Sequence, residues 1–469
     1  MNALLFTPQQ HERASMLLDR FAARYFATVA DRPVYPALDR AALRELKQQA
    51  LPRTGQPLEA LFEELEQVVV PNSTQTAHPR FLPYVQPSPN ALSPYADHVA
   101  AILNQNCNLW HLSPAANAVE QTVLGWFAEL FAMPATASGI LTSGGSMANM
   151  VAVAAARDHA LGDGARTAGL QGGRAPLVLY TSEEAHSSIV KAVSMLGLGR
   201  QYLRPIATDE QFRIRLDLLA EAVSHDRAAG LDPFCVVGHA GTVTTGAIDP
   251  LEDLSHFCRE QGLWLHVDGA FGALAALSPR FRTALSAAGL ADSLSLDPHK
   301  FLFCNLEAGC VLVRDRRRLL DAFSAQSSYL TMSEDPDFLD FASQGPQLSR
   351  AFKALKVWWS LKHFGADAYA GVIEHMHELA EYMGRQIGAR EGFELLAPVV
   401  FNCVCFRLTG LDSDGNRRVL KELVEGGTAF LGPALVKGRT GLRACFMNLR
   451  TTEADVDLIL DRLAAIAGS

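Results

Sequence analysis

The chain has 469 residues, 49% of them apolar and 19% charged, which is enough for two or three packed units and far from the composition of a disordered protein. A formal net charge of −9 and a pI near 5.9 argue against a nucleic-acid-binding or anionic-membrane surface. No apolar run approaches the roughly 18 residues of a membrane helix, and MNALLFTPQQHER lacks a basic leader and a long apolar segment, so the cytoplasm is the expected compartment.

The first 78 residues read as helical, because ERASMLLDRFAARYFATVA and LEALFEELEQVVV carry apolar residues at helical spacing. A proline-rich turn region, HPRFLPYVQPSPNALSP (78–94), follows. Residues 79–348 then alternate between strand-like runs, such as APLVLYTS, PFCVVGHAGT, LWLHVDGAF and GCVLVRD, and helical segments such as AHSSIVKAVSMLGL and PLEDLSHFCREQG. That alternation predicts an α/β unit whose mostly parallel sheet is covered by helices on both faces. From 349 to 469 a long helix leads into a smaller α/β pattern that ends in TTEADVDLILDRLAAIA. Eight cysteines in so long a chain make no disulfide framework. Cys403 and Cys405 lie in VVFNCVCF, which alternates like a strand, and are expected in the core and not on a metal.

In sheets of this kind ligands sit at the carboxyl ends of the strands, so the polar groups just after each apolar run are the candidates. In GILTSGGSMANM, Gly145 and Ser146 open a helix after a short strand, which suits a phosphate; an ordinary capped helix explains the pattern as well. His186 stands in the turn of LVLYTSEEAHSS, and Thr242 follows a strand in GHAGTVTTG. Asp268 ends the apolar run LWLHVD and is followed by Gly269 and Ala270, which leave room for a flat group. A carboxylate there requires a cation, either a structural partner or a bound cationic ring. His299 and Lys300 sit in SLSLDPHKFLF, where lysine, one of only eight in the chain, is flanked by apolar residues. Snorkelling to water would explain a lone lysine in such a run. Taken in order, however, an anion cradle, a histidine, a carboxylate and a lysine are the parts that an electron-sink cofactor bound as a Schiff base needs.

The motifs HPRF, SPAANAVEQ, TSGGSMAN, EEAHSS, HAGT, WLHVDGAFG, ADSLSLDPHK and GLRACFMNLRTTEADVD together make the chain resemble the pyridoxal-phosphate-dependent group II amino acid decarboxylases over nearly its whole length. That resemblance implies an aspartate aminotransferase-like fold of type I and a homodimer with its sites at the interface. The small-molecule substrate would be an L-amino acid, released as amine and CO2. It implies Lys300 as the Schiff-base lysine, Asp268 as the partner of the pyridine nitrogen, and His186 and Ala270 on opposite faces of the ring. Gly145, Ser146 and His299 are implied at the phosphate and Thr242 in the cofactor site. Arg443 would hold the substrate carboxylate, His111 would stand beside the substrate, and Tyr329 would be the proton donor on a closing loop. An aromatic substrate is one expectation and an acidic or other polar one an alternative. An aldehyde synthase or carbon–carbon lyase on the same fold is a rival reading. A Rossmann-type dehydrogenase is disfavoured because G-x-G-x-x-G is missing, and a non-catalytic scaffold because the residue set is intact.

Overall fold

The computed structural model of the chain describes residues 4–164, 167–324 and 338–468. The N-terminal segment is helical as expected. Its first helix, Pro8–Thr28, starts at a capping box in which the Thr7 hydroxyl accepts from the Gln10 N–H and the Gln10 side chain accepts from the Thr7 N–H. Among the described residues no helix is long and apolar enough to cross a membrane.

Strand β1 is the short pair Phe81–Leu82. The expected large sheet is built from β2 (Ser138–Thr142), β3 (Leu177–Ser182), β4 (Leu203–Ile206), β5 (Asp232–His239), β6 (Trp264–Gly269), β7 (Ser293–Leu296) and β8 (Gly309–Val313). Their order is β2-β8-β7-β6-β5-β3-β4. Only β8 runs against its neighbours, antiparallel to both β2 and β7. Strands β6, β7 and β8 are buried at every position, which is why they read as continuous apolar runs: helices cover both faces. The parallel strands point their carboxyl ends to one edge, and the loops leaving β2, β5, β6 and β7 meet there.

The C-terminal unit adds β9 (Phe393–Leu395), β10 (Cys403–Leu408), β11 (Phe430–Val436) and β12 (Arg439–Cys445), ordered β1-β11-β12-β10-β9. Its edge is completed by β1, which pairs parallel to β11 with Phe81 opposite Phe430. The residues just after 78 thus serve the C-terminal sheet, an exchange that the sequence pattern does not announce. Close approach is allowed by Gly432, where a Cβ would come within 2.2 Å of the Pro83 carbonyl oxygen. All eight cysteines are free and buried, Cys403 and Cys405 on β10 among them. Between the units Phe401 packs on Phe281 with ring centroids 4.8 Å apart, on Phe271 at 6.0 Å and on Phe301 at 6.3 Å, so one apolar core spans both.

One buried ion pair braces the strand that leads into the glycine loop. Glu120 and Arg350 are 1% and 5% exposed and bonded to each other. Glu120 Oε1 also accepts the Leu141 N–H at 2.9 Å, and Arg350 donates to the Leu141 carbonyl at 3.0 Å and the Cys107 carbonyl at 2.6 Å. Removing one partner leaves the other charge buried and uncompensated. Glu120→Ala is expected to cost about 3–5 kcal/mol in urea unfolding, whereas substitutions at exposed ion pairs such as Arg417–Asp414 change little.

Candidate active site

The carboxyl edge of the large sheet opens into a cavity of about 430 Å³. Asp268, near the end of β6, lines it and is 6% exposed. Its Oδ2 accepts from Asn149 Nδ2 at 2.8 Å, and its Oδ1 accepts from the Ala270 N–H and the Ser295 hydroxyl, each at 3.2 Å. Burial alone would push this carboxyl up. The positive fields of His239 and Lys300 and the Asn149 amide outweigh it, so Asp268 titrates below its ordinary value.

Asn149 is itself held by a chain of side chains that sequence reasoning missed. Trp264 Nε1 donates to Ser293 Oγ at 2.9 Å, Ser293 Oγ lies 2.9 Å from His266 Nδ1, and His266 Nε2 lies 3.0 Å from Asn149 Oδ1. An amide oxygen can only accept, so Nε2 carries the proton and Nδ1 accepts from the serine. Complete burial lowers the His266 pKa to about 4, so the ring is neutral at pH 7 as this chain of bonds requires. The one signal in the sequence was HVD, which puts His266 and Asp268 two residues apart on one face of the strand. An unfolded histidine titrates near 6.5, so between about pH 6.5 and 4 the unfolded state binds a proton at this position that the folded state refuses. Stability is therefore expected to fall as pH is lowered through that window. His266→Gln should remove about 2 kcal/mol of the difference between urea unfolding at pH 7 and at pH 5.

Lys300 lies on the single-turn helix Pro298–Phe301 after β7. Its Nζ is 2.8 Å from Asp297 Oδ2, and His299 Nε2 is 3.4 Å from the same oxygen. His299 Nδ1 accepts the Ala308 N–H at 3.1 Å, which sets the ring. The glycine loop is packed against this turn. A Cβ at Gly145 would stand 2.6 Å from the Ala270 Cβ and 3.0 Å from Asp297 Oδ2, and Gly144 has φ 150°. Only glycine fits at 145. The helix Gly145–Leu161 begins there and turns its first amides, without partners inside the helix, toward the cavity that Gly145 and Ser146 line. Asn149 belongs to the same helix one turn on, so one element serves both the anion cradle and Asp268.

His186 caps the helix Ser187–Met195, with Nδ1 accepting from the Ser188 N–H, and presents its ring at the cavity. Ala270 lines the cavity too, as does Arg443, which is 7% exposed and donates to the carbonyls of Val243 and Pro83. Two expected residues are not brought there. Thr242 is buried with its hydroxyl turned into its own turn, 3.0 Å from Thr245 Oγ1 and accepting the Ala247 N–H; its neighbours Gly241 and Val243 line the cavity instead. His111 sits exposed on the turn Trp110–Leu112, away from the lining. Tyr329 lies outside the described residues. Among those described, no group of three or more His, Cys, Asp or Glu side chains is placed to hold a metal ion.

Does pyridoxal phosphate suit this cavity? Three lining residues each keep a buried polar atom without a hydrogen-bond partner among the described residues: Asp297 Oδ1, His239 Nε2 and Arg443 Nε. Beside them stand a glycine cradle open to an anion, a buried ionised carboxylate, and a lysine on the next strand end. The donor set fits a flat cationic ring that bears a phosphate and a carbonyl, which defines the class: an α/β enzyme with a pyridoxal-phosphate site at its sheet edge.

Comparison with known proteins bears on this directly. Residues 41–409 match the pyridoxal-dependent decarboxylase conserved domain. The chain is 33% identical to an aromatic-L-amino-acid decarboxylase of Bacillus atrophaeus, over 93% of this chain and 91% of that protein. It is 29% identical to a 4-hydroxyphenylacetaldehyde synthase of Rhodiola rosea, over 94% and 91%. Among solved structures, Oryza sativa TDC with PLP and tryptamine superposes with a TM-score of 0.92 at 26% identity, over 99% of both chains. The chain belongs to the pyridoxal-dependent decarboxylase family. It is a carboxy-lyase that uses pyridoxal phosphate to act on an amino acid, and its fold is the type I fold of these enzymes.

Proposed function

We propose that the chain converts an L-amino acid with an aromatic side chain to the corresponding amine and CO2. The observation that carries this reading is the convergence of Asp268, Lys300 and the Gly145–Ser146 turn on one cavity from three strand ends. When bound, pyridoxal phosphate supplies the electron sink for the bond that breaks between the α-carbon and the carboxylate.

The chain's own residues do the rest. Lys300 is the covalent anchor, and the first-turn amides at Gly145 and Ser146, with His299, take the phosphate. Asp268 stays ionised and keeps a proton on the pyridine nitrogen, in a dry site where that interaction is far stronger than in water. His186 and Ala270 confine the ring from its two faces. Arg443 binds the substrate carboxylate, and the apolar faces of Tyr84, Val85, Phe271 and Leu306 form a wall against which an aromatic side chain packs. Tyr329 excludes water and delivers a proton to the α-carbon once CO2 has left. Similarity to an aromatic-L-amino-acid decarboxylase supports the aromatic class. A homodimer in the cytoplasm belongs to the same reading. Leu5, Met16 and Leu61, 64%, 50% and 48% exposed on the N-terminal segment, support a second copy covering it.

The standard amino acids, screened for CO2 release with products identified, test this proposal. The expected result is release from an aromatic amino acid, with amine and without aldehyde. Release only from acidic or other polar amino acids would overturn the substrate class, and aldehyde in place of amine would favour the synthase chemistry named for the Rhodiola rosea relative. Tyr329→Phe is expected to slow amine formation at least about tenfold; an unchanged rate would remove the proton-donor role.

A further inference from the structure

His239 ends β5 directly beside Asp268, its in-register neighbour on β6. It is 2% exposed. Its Nδ1 lies 2.9 Å from Asp249 Oδ2, and that oxygen also accepts the His239 backbone N–H at 2.9 Å. Asp249 Oδ1 is in turn fixed by the Ile214 N–H at 2.8 Å. The ring is therefore clamped with Nδ1 toward the carboxylate. Its other nitrogen, Nε2, is buried and has no hydrogen-bond partner among the described residues, although His239 lines the cavity. Leaving such an atom unmet costs about 1–3 kcal/mol, so a clamp that holds it in place makes sense if the occupant of the cavity meets it.

Strand order indicates which part of the occupant that is. The glycine cradle follows β2, Lys300 follows β7, Asp268 ends β6 and His239 ends β5, and across the sheet these strands run β2-β8-β7-β6-β5. His239 thus stands on the far side of Asp268 from the phosphate cradle. In pyridoxal phosphate the carbonyl-bearing carbon is flanked by the carbon with the phosphate arm on one side and the carbon with the hydroxyl on the other. With the phosphate toward β2 and the ring nitrogen at Asp268, the hydroxyl edge falls toward β5.

We propose that Asp249 and His239 form a positioning pair that hydrogen-bonds the hydroxyl oxygen of the cofactor ring through His239 Nε2. This rests on the reading above, in which Lys300, Asp268 and the glycine cradle hold the cofactor. Asp249 accepts a hydrogen bond from the Nδ1–H, which leaves Nε2 as the atom offered, and a single proton is shared between Nε2 and the ring oxygen. The titratable groups facing His239 are Asp249 on its own hairpin, Asp268 and the neutral His266 on β6, and Glu184 after β3, with Lys300 after β7 lining the same cavity. Burial disfavours a charged ring here, but the three carboxylates outweigh it and raise the His239 pKa above its ordinary value.

Two substitutions in the holoenzyme separate a hydrogen bond from mere packing. His239→Asn keeps a donor for Asp249 and removes the atom at Nε2; His239→Gln restores an amide nitrogen near Nε2. Two readouts apart from turnover apply: the pH midpoint at which the visible absorbance of the substrate-free holoenzyme titrates, and the cofactor Kd on reconstituting the apoenzyme. His239→Asn is expected to move the midpoint by a pH unit or more and to weaken cofactor binding tenfold or more, with His239→Gln recovering most of both. A folded His239→Asn protein with the parent's midpoint and Kd would overturn the proposal, and so would a shift that His239→Gln shares in full. If His239→Asn does not fold, His239→Gln against His239→Leu decides by the same criteria. Failure of the parent itself to give a visible band with pyridoxal phosphate would instead sink the underlying assignment of Lys300 and Asp268.

Discussion

Lys300→Ala is expected to lower the rate of CO2 release at least about 10⁴-fold, a loss of about 5 kcal/mol of transition-state stabilisation. The lysine is placed by the sequence around it. Pro298 starts a single-turn helix at the end of β7, and the turn aims Nζ at Asp297 and into the cavity. Among the described residues no other lysine lines that cavity. The same substitution leaves Asp297, 2% exposed and already short of a partner at Oδ1, without the cation 2.8 Å away. A measurable loss of stability should therefore accompany the loss of activity, and thermal unfolding separates the two. An alanine variant that releases CO2 within tenfold of the parent would remove Lys300 from the reaction.

Asp268→Asn is expected to reduce kcat by about 10³-fold or more, equivalent to about 4 kcal/mol. The change is nearly isosteric, so the loss is electrostatic in origin. Both carboxylate oxygens accept hydrogen bonds, from Asn149 on one side and from Ala270 and Ser295 on the other. An amide can keep only one of these sets, because its nitrogen donates and would face a donor. Beyond that mismatch, the neutral side chain no longer holds a proton on a ring nitrogen. The variant should fold, bind pyridoxal phosphate less tightly and turn over slowly; a kcat within threefold of the parent would show that the carboxylate charge is not used.

Much of this site is legible in the sequence because its parts are local. Asp268 stands out as a carboxylate at the end of an apolar run, Lys300 as a lysine between apolar residues, and Gly145 as a glycine at a strand-to-helix turn. Each is decided by its immediate neighbours, and the alternation of runs sufficed for the parallel sheet. What stayed hidden depends on contacts distant in the chain. Asn149 reaches Asp268 across 119 residues, and His266 reaches Asn149 across 117, so neither role has a local signature. The short pair Phe81–Leu82 joins the C-terminal sheet because Gly432 admits the Pro83 carbonyl, a steric fact without a periodicity. Thr242 and His239 exchange places for a similar reason. Both are polar residues at the end of one strand, and only the fold of the 242–247 turn decides that the threonine points inward while the histidine faces the cavity.

Borohydride reduction of the holoenzyme followed by peptide mass mapping tests the central claim most directly. The account predicts a single pyridoxyl adduct, on Lys300 in the peptide containing SLSLDPHK. An adduct on any other of the eight lysines, or none at all, would contradict it.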